Sequence, residues 1–324
     1  MKNHINYPTD TCQILNHYNN LICKCCNYLR VINKGERLMK YIDLHVHSNV
    51  SDGTLSPSQL VEEAAKCGLS AFALTDHDTT DGVKEALSAA QDLKQTGTSI
   101  EVISGAELSV AYKNRDIHML GLFLDYENVT LQQALKKAKE SRENRNQKMV
   151  DNLAKGGFDI DMERLRNSFE EDTILTRAHF AQYLFQTKQI SSVNDAFRNI
   201  LNADGPYYVP RKYIEPEDAI RLIKQAGGIP ILAHPLIYHL PEKELDDLIA
   251  MLKEMGLEGI EVFYSSNTGF DEGILRRYAN KYHLVMSGGS DFHGTNKPLI
   301  SLGTGRGNLC VPYSVLDNLK NLGK

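Results

Sequence analysis

Short apolar runs alternate with amphipathic helical patterns along most of the chain. In segment 41–47 apolar and polar side chains alternate, which is typical of a strand with one buried face. Six further apolar runs predict strands at 70–77, 100–108, 116–124, 228–235, 257–265 and 283–293. The helical patterns between them carry start and stop signals, such as Ser56-Pro57 before one helix and Gly68 after it. This alternation predicts βα units and a parallel α/β barrel of about seven strands.

One segment interrupts the alternation. Residues 128–210 contain long polar helical patterns and no convincing strand. We therefore expect a helical insertion that serves as a substrate lid, carried on a loop of a barrel formed by residues 39–127 and 211–324. Residues 1–38 lack sustained periodicity, and we expect them to be an extension, either disordered or a mis-assigned start upstream of Met39.

Composition narrows the class of protein. No apolar run among the 324 residues approaches the roughly 18 to 20 residues that a membrane span needs, so we expect a cytoplasmic protein with no membrane attachment. We also predict no stable protein partner. The net charge of −5 disfavours a protein that coats polyanions, so a phosphorylated substrate would need a local positive site. Four of the six cysteines fall within the first 40 residues, too bunched for a disulfide framework or the usual zinc spacing.

Side chains that commonly bind metal ions occur at nearly every predicted strand end. They are His45, His47, Asp52, His77, Glu107, His118, His234, Asp291 and His293. The carboxyl ends of parallel barrel strands converge on one face, so these side chains should meet there. Any one of them alone is more simply a core histidine, a solvated histidine on a half-buried strand or a capping carboxylate. Nine together predict a metal site.

Further carboxylates adjoin the predicted ligands. Asp76 and Asp78 flank His77, and either is placed to orient a ligand imidazole from behind. For Asp78, capping of the following helix is an equal alternative. Asp43 shares a strand face with His45 and is a further candidate for orienting a ligand from behind.

The motifs at these positions resemble a known family. "DLHVHSNVSDGTLSP", "LTDHDTTDG", "SGAELS", "IHMLGL", "LAHP" and "SGGSDFHG" are similar, in this order, to the successive motifs of the polymerase and histidinol phosphatase (PHP) family of metal-dependent phosphoesterases. The resemblance runs from about residue 40 to about residue 300. It implies a distorted (β/α)7 barrel whose centre usually holds three divalent ions.

The resemblance also implies how the nine side chains divide among the ions. One ion is held by His45, His47, Glu107 and Asp291. Glu107 bridges to a second ion, which is also held by His118 and His234. The third ion lies between Asp52, His77 and His293. Because a carboxylate at Asp52 is a hard ligand, we expect Mn²⁺, with Fe²⁺, Zn²⁺ or Mg²⁺ as alternatives. A hydroxide bridging the first two ions would attack phosphorus.

The "SDG" form of the first motif resembles the family's subgroup that acts on small nucleotides and RNA 5′ ends. We therefore expect removal of a terminal phosphate from a small nucleotide such as a 3′,5′-bisphosphonucleotide. A 5′-3′ exonuclease on short RNA and a histidinol-phosphate phosphatase are the alternatives. Amidohydrolases also begin with HxH on a barrel strand, but the later motifs fit phosphoesters better.

A substrate with a second phosphate needs fixed cations, and the predicted insertion and the segment after it supply candidates. These substrate-binding candidates are Arg145, Arg177, His179 and Arg211. Arg145 shares a helix face with Arg142, where mixed-sign charge predicts a solvated face as the simpler alternative. Tyr207 and Tyr208 are placed either to stack on a base or to pack in a core.

Overall fold

The computed structural model describes residues 40–113, 115–169, 173–202, 205–210 and 214–322. Eight strands form one sheet. They are β1 (Tyr41–Val46), β2 (Ala71–Leu74), β3 (Glu101–Tyr112), β4 (Arg115–Leu122), β5 (Ile229–Leu232), β6 (Gly259–Tyr264), β7 (Val285–Gly289) and β8 (Val311–Pro312). Their spatial order is β7-β6-β5-β4-β3-β2-β1-β8. The predicted extension 1–38 lies outside the described residues.

The sheet curls until its two ends nearly meet. The segment after β7 returns to β1, where the Asp291 amide donates to the His45 carbonyl at 2.8 Å and the His47 amide donates to the Phe292 carbonyl at 3.0 Å. The two-residue strand β8 pairs antiparallel with β1 and has no counterpart in the predicted set. A nearly closed α/β barrel confirms the predicted fold class.

Strand β4 departs from the predicted parallel arrangement. It pairs antiparallel with β3 from Gly105–Leu122 to Tyr112–Arg115, and antiparallel with β5 on its other side. Only two residues separate β3 from β4, whereas a parallel crossover needs a dozen or more residues. The prediction of a wholly parallel sheet was therefore wrong at this hairpin, although the other neighbours among β1–β3 and β5–β7 are parallel.

Helices follow most of the parallel strands and cover the outside of the sheet. The helices are α1 (Pro57–Lys66), α2 (Val83–Gln95), α3 (Val129–Lys155), α4 (Met162–Asn167), α5 (Arg177–Gln186), α6 (Val193–Asp195), α7 (Pro216–Gln225), α8 (Glu242–Glu254), α9 (Gly269–Lys281) and α10 (Tyr313–Leu322). The first begins as the sequence predicts, because Ser56 and Gln59 form a reciprocal capping box. No helix in the described segments has the length and hydropathy that a bilayer crossing requires.

The segment from α3 to α6 has an apolar core of its own. Met149 and Leu153 of α3 pack with Phe180 and Leu184 of α5. A π-helical turn at Ala196–Ile200 continues α6. The first turns of α3 instead contact the main barrel core, so this long helix connects the two cores. Within 128–210 the described residues contain helices and no strand.

Candidate metal centre

The structure brings all nine predicted ligand side chains together inside the barrel. They form overlapping groups whose nitrogen and oxygen atoms lie within 4.8 Å of one another. The groups are His47-Asp52-His77-His293, His45-His47-Asp291, His45-Glu107-His234 and His77-Glu107-His118. Each strand or loop thus contributes to a single cluster.

Strand β1 supplies the first two histidines by simple alternation. Leu44 and Val46 point into apolar cores, while His45 and His47 point to the opposite side. Both histidines are fully buried. This burial excludes the alternative of a half-buried strand with solvated histidines.

Glu107 of β3 lies between two sets of histidines. Its Oε1 is 2.8 Å from His118 Nδ1 and 2.9 Å from His234 Nε2. Its Oε2 lies 3.1–3.3 Å from nitrogens of three other histidines, His77, His47 and His45. His118 lies on the fourth strand, as predicted, and reaches Glu107 through the antiparallel β3–β4 hairpin, in which it pairs with Ser109. One carboxylate therefore faces two groups of ligands.

The other two carboxylates complete the cluster on its open side. Asp52 Oδ1 is 3.1 Å from His293 Nε2, and Asp291 Oδ1 is 3.4 Å from His47 Nε2. Asp291 and His234 have φ angles of 57° and 29°, in a left-handed region that residues other than glycine rarely adopt. Such backbone conformations persist where the surrounding structure enforces them, and here they direct two side chains into the cluster.

Several buried atoms of the cluster lack a hydrogen-bond partner among the described residues. They are His45 Nε2, His47 Nδ1 and Nε2, Asp52 Oδ1, His77 Nδ1 and His234 Nδ1. A buried polar atom without a partner costs about 1–3 kcal/mol, so these atoms need a ligand. Burial opposes ionisation of Glu107, but His118, His77 and His45 more than offset it and hold its pKa well below the usual range. Imidazole nitrogens with ionised carboxylates fit Mn²⁺, Fe²⁺ or Zn²⁺.

Glu261 is a supporting residue that the sequence analysis missed. Its Oε1 lies 3.0 Å from His45 Nδ1, and its Oε2 accepts a hydrogen bond from the His234 amide at 2.7 Å. A carboxylate behind a histidine fixes the ring orientation, here with Nε2 of His45 directed at Glu107. The available signal was a single carboxylate inside the apolar run of β6.

Two further aspartates, Asp76 and Asp43, fix backbone beside the cluster. Asp76 accepts hydrogen bonds from the Ser48 amide and hydroxyl and from the Ser51 hydroxyl, at 2.6–2.8 Å, and so fixes the loop between His47 and Asp52. Asp43 accepts from the amides of Ser290 and Gly303, which fixes the chain next to Asp291. These aspartates act on ligand-bearing backbone.

Asp78 connects a strand of the barrel to a helix. It accepts a hydrogen bond from the Ser109 amide at 2.9 Å and forms a buried ion pair with Arg142 of α3. The helix cap of α2 is Gly82, so the capping alternative for Asp78 was wrong.

A cavity of about 920 Å³ opens above the cluster. Its floor includes Asp52, His77, His118, Asp291 and His293. Arg142, Arg145 and Arg177 also line it. Arg142 and Arg145 are each only 6% exposed, so the solvated helix face expected for them was wrong. Their burial follows from the packing of α3 over the barrel, where Asp78 neutralises Arg142.

Lys297 is a second residue that the sequence analysis missed. Its Nζ lies 2.7 Å from Asp291 Oδ2, and the hydroxyl of Tyr264 donates to the same oxygen at 2.8 Å. Burial opposes ionisation of Asp291, but Lys297 and His293 more than offset it and keep its pKa well below normal. The other oxygen of Asp291 is left to face the histidines.

The structure places the other predicted substrate-binding candidates in different surroundings. Arg177 lines the cavity, and its guanidinium lies over the Tyr208 ring at 5.6 Å. Tyr207 packs edge-on against Phe158 in the core of the insertion. Arg211 lies outside the described residues.

His179 does not line the cavity, contrary to the prediction. Its Nδ1 accepts a hydrogen bond from the Thr176 amide at 2.9 Å, and burial lowers its pKa to about 4. It is therefore part of the N-terminal cap of α5. The Thr176 hydroxyl of this cap donates to Asp52 Oδ2 at 3.1 Å, and the preceding Ile174 amide donates to the Val50 carbonyl at the same distance. The insertion thus contacts the ligand-bearing loop.

Comparison with known proteins identifies the family. The model of the PHP domain matches residues 43–295. A 5′-3′ exoribonuclease of Haemophilus influenzae is 36% identical over 261 residues, covering 79% of this chain and 91% of that protein. A 3′,5′-nucleoside bisphosphate phosphatase of Chromobacterium violaceum is 32% identical over 255 residues, covering 79% and 88%. A structure described as a metal-dependent phosphoesterase of Bifidobacterium adolescentis aligns with a TM-score of 0.76 at 29% identity, over 88% of this chain and 97% of that one.

The chain belongs to the PHP family. It is a metal-dependent phosphoesterase, a hydrolase that acts on phosphoester bonds.

Proposed function

We propose that this phosphoesterase removes a terminal phosphate from small nucleotides of the 3′,5′-bisphosphonucleotide type. The observation that carries the proposal is the pairing, in one cavity, of the ligand cluster with buried arginines. Arg145 is nearly buried and still lines the cavity, so it is a positioned cation and not general surface charge, whereas Arg142 is paired with Asp78. A substrate with two phosphates has one for the cluster and one for the arginines.

We infer three divalent ions, with Mn²⁺ as the expected metal and Fe²⁺, Zn²⁺ or Mg²⁺ as alternatives. The first ion would be held by His45, His47, Glu107 and Asp291. The second would be held by Glu107, His118 and His234. The third would be held by Asp52, His77 and His293. The two oxygens of Glu107 face different histidines, which supports a bridging position. The carboxylate of Asp52 favours a hard ion at the third position.

The ions, when bound, supply a hydroxide at neutral pH and neutralise charge on the phosphoryl oxygens. The side chains of the chain itself orient the reaction. Tyr264 and Lys297 hold one oxygen of Asp291, which leaves the other directed at the cluster. Glu261 fixes the ring of His45 from behind. Arg145 and Arg177 then hold the phosphate that is not attacked.

Hydrolysis of short RNA from its 5′ end is the second candidate function. The relative from Haemophilus influenzae, named as a 5′-3′ exoribonuclease, supports it. An exonuclease needs the same cluster and a path along which the rest of the strand leaves the cavity. Histidinol phosphate is a third substrate to test.

Phosphate release from adenosine 3′,5′-bisphosphate by protein reconstituted with Mn²⁺ tests the proposal. The double substitution His45→Ala/His47→Ala should abolish turnover, because both histidines face Glu107. His239→Ala is the matched control, since His239 is exposed and outside the cluster, and it should keep full activity. A 5′-phosphorylated RNA oligonucleotide and histidinol phosphate are assayed in parallel. No release from the bisphosphate by metal-loaded protein would refute the proposal, and cleavage of the oligonucleotide alone would establish the exonuclease.

A further inference from the structure

The rim of the cavity is apolar. Phe185, Phe197 and Leu299 line it, with 47%, 39% and 70% of their surface exposed. Only seven large hydrophobic side chains are exposed among the residues that the structure describes, and three of them share this rim. We call these three residues the apolar rim. Grouped exposed apolar side chains mark surfaces that bind a ligand or a partner.

The two phenylalanines are placed there by the helical insertion. Ala178, Gln182 and Phe185 occupy positions i, i+4 and i+7 of α5, so one face of this helix borders the cavity. Phe197 lies on the π-helical turn that continues α6. Such turns are rare and frequently occur at functional sites. Two adjoining elements therefore direct aromatic rings at the same opening.

The side chains that line the cavity differ in exposure. Asp52, Asp291 and His293 of the cluster are 4–5% exposed and the two arginines Arg142 and Arg145 are 6% exposed, whereas Phe185 and Phe197 are 47% and 39% exposed, so the aromatic rings lie nearest to solvent. A nucleotide has phosphate at one end and a flat aromatic base at the other. A nucleotide that enters with its phosphate first therefore leaves its base at the rim.

We propose that Phe185 and Phe197 form a stacking platform for the nucleobase of the substrate. This inference rests on the proposed function and specifies its substrate class: a phosphorylated nucleotide, as opposed to a phosphorylated sugar without a base. The polar side chains that line the cavity include the amides of Gln182, Gln186 and Asn194. Amides offer both donors and acceptors, so they fit the edge of any base, and stacking itself tolerates every base. Selectivity for a particular base is not expected.

Binding of two matched probes tests the platform. Adenosine 5′-monophosphate and ribose 5-phosphate carry the same phosphate and differ in the base. With the Mn²⁺-loaded protein, calorimetry should give a Kd about 5- to 150-fold lower for the nucleotide, the range found for stacking of one base. Phe185→Ala and Phe197→Ala should each raise the Kd of the nucleotide toward that of the sugar phosphate, whose own Kd stays constant.

Two further variants separate stacking from other effects. Phe270→Ala is the matched control, because Phe270 is 76% exposed and lies outside the cavity, and it should change neither Kd. Phe185→Leu keeps an apolar side chain but removes the aromatic face, so it should resemble Phe185→Ala. A thermal melt of each variant confirms that it folds. If one alanine variant does not fold, the leucine variant and the other position still decide the question.

The proposal is overturned if both probes bind the wild type equally, or if both phenylalanine variants keep the wild-type ratio of Kd values. If the ratio is unchanged and sedimentation velocity shows a wild-type dimer that the variants do not form, the apolar rim is a contact between two copies. Because this measurement needs no turnover, a negative phosphate-release assay would refute the proposed function and leave the test of base stacking intact.

Discussion

The hydrogen bond between Thr176 and Asp52 predicts that the cap of α5 supports the metal centre. The Thr176 hydroxyl donates to Asp52 Oδ2 at 3.1 Å and also accepts from the Ala178 amide at 3.2 Å. Burial opposes ionisation of Asp52, but His77 and His293 more than offset it and hold its pKa well below normal, so the acceptor is a charged carboxylate. Thr176→Val keeps the shape of the side chain and removes both hydrogen bonds.

The expected losses follow from these two contacts. Removing a helix cap costs about 0.5–2 kcal/mol, and removing a buried hydrogen bond to a charged group costs about 1.5–3 kcal/mol. The free energy of unfolding should therefore fall by about 2–5 kcal/mol. Substitution of a residue that orients a metal ligand typically lowers metal affinity about 10- to 100-fold. Mn²⁺ should therefore bind the Asp52 position of Thr176→Val more weakly by about that factor.

Titration of metal-free protein with Mn²⁺ by calorimetry, together with urea unfolding, measures both quantities. Thr268→Val is the matched control, because Thr268 also caps a helix with a capping box, at an exposed position outside the cluster. It should lose only about 0.5–2 kcal/mol and bind Mn²⁺ normally. Thr176→Ser keeps the hydroxyl and should bind Mn²⁺ like the wild type. An unchanged Mn²⁺ affinity in Thr176→Val would refute the reasoning.

Two more predictions concern Lys297 and His179. Lys297→Met keeps the stem of the side chain but removes the cation 2.7 Å from Asp291, so kcat/KM for the phosphorylated substrate should fall about 10- to 100-fold. Lys297→Arg, which keeps the charge, should recover part of this loss, and a wild-type rate for Lys297→Met would contradict the assigned role. The second prediction concerns pH. Burial lowers the pKa of His179 from 6.5 to about 4. Between these pH values the unfolded chain binds one more proton than the folded protein, so acidification lowers the free energy of unfolding. From pH 6.5 to pH 4 the free energy of unfolding of the wild type, measured with urea, should fall by up to about 3 kcal/mol more than that of His179→Gln. Parallel curves of unfolding free energy against pH for the two proteins would show that His179 does not contribute.

The sequence was sufficient to predict the cluster of nine ligand-type side chains because their positions follow from local rules. Alternation along β1 places His45 and His47 on one face, and the ends of parallel strands converge in a barrel. The supporting residues follow no such rule. Glu261 is 216 positions from His45, and only the folded barrel makes them neighbours. Thr176 and Asp52 likewise meet only because the insertion packs against the barrel.

Two errors show how tertiary structure overrides local patterns. Charged residues at helical spacing predicted a solvated face for Arg142 and Arg145, but α3 lies against the barrel and Asp78 pairs with Arg142. The apolar runs 100–108 and 116–124 were predicted to be separate parallel strands. In the structure the residues between them, among them Val110, Ala111 and Tyr112, extend both strands into a hairpin. This hairpin carries Glu107 and His118 on one face, so the error concerned strand direction and not the cluster.

The seam of the barrel, where the segment after β7 pairs with β1, has a consequence for biosynthesis. Asp291 and His293 are supplied by one side of this seam and His45 and His47 by the other, and Asp291 Oδ1 lies 3.7 Å from His45 Nε2 and 3.4 Å from His47 Nε2 across it. A growing chain makes His45 early, but the cluster stays incomplete until His293 has left the ribosome. The cluster is therefore incomplete during most of translation, and hydrolase activity is expected only after the segment that follows β7 has paired with β1.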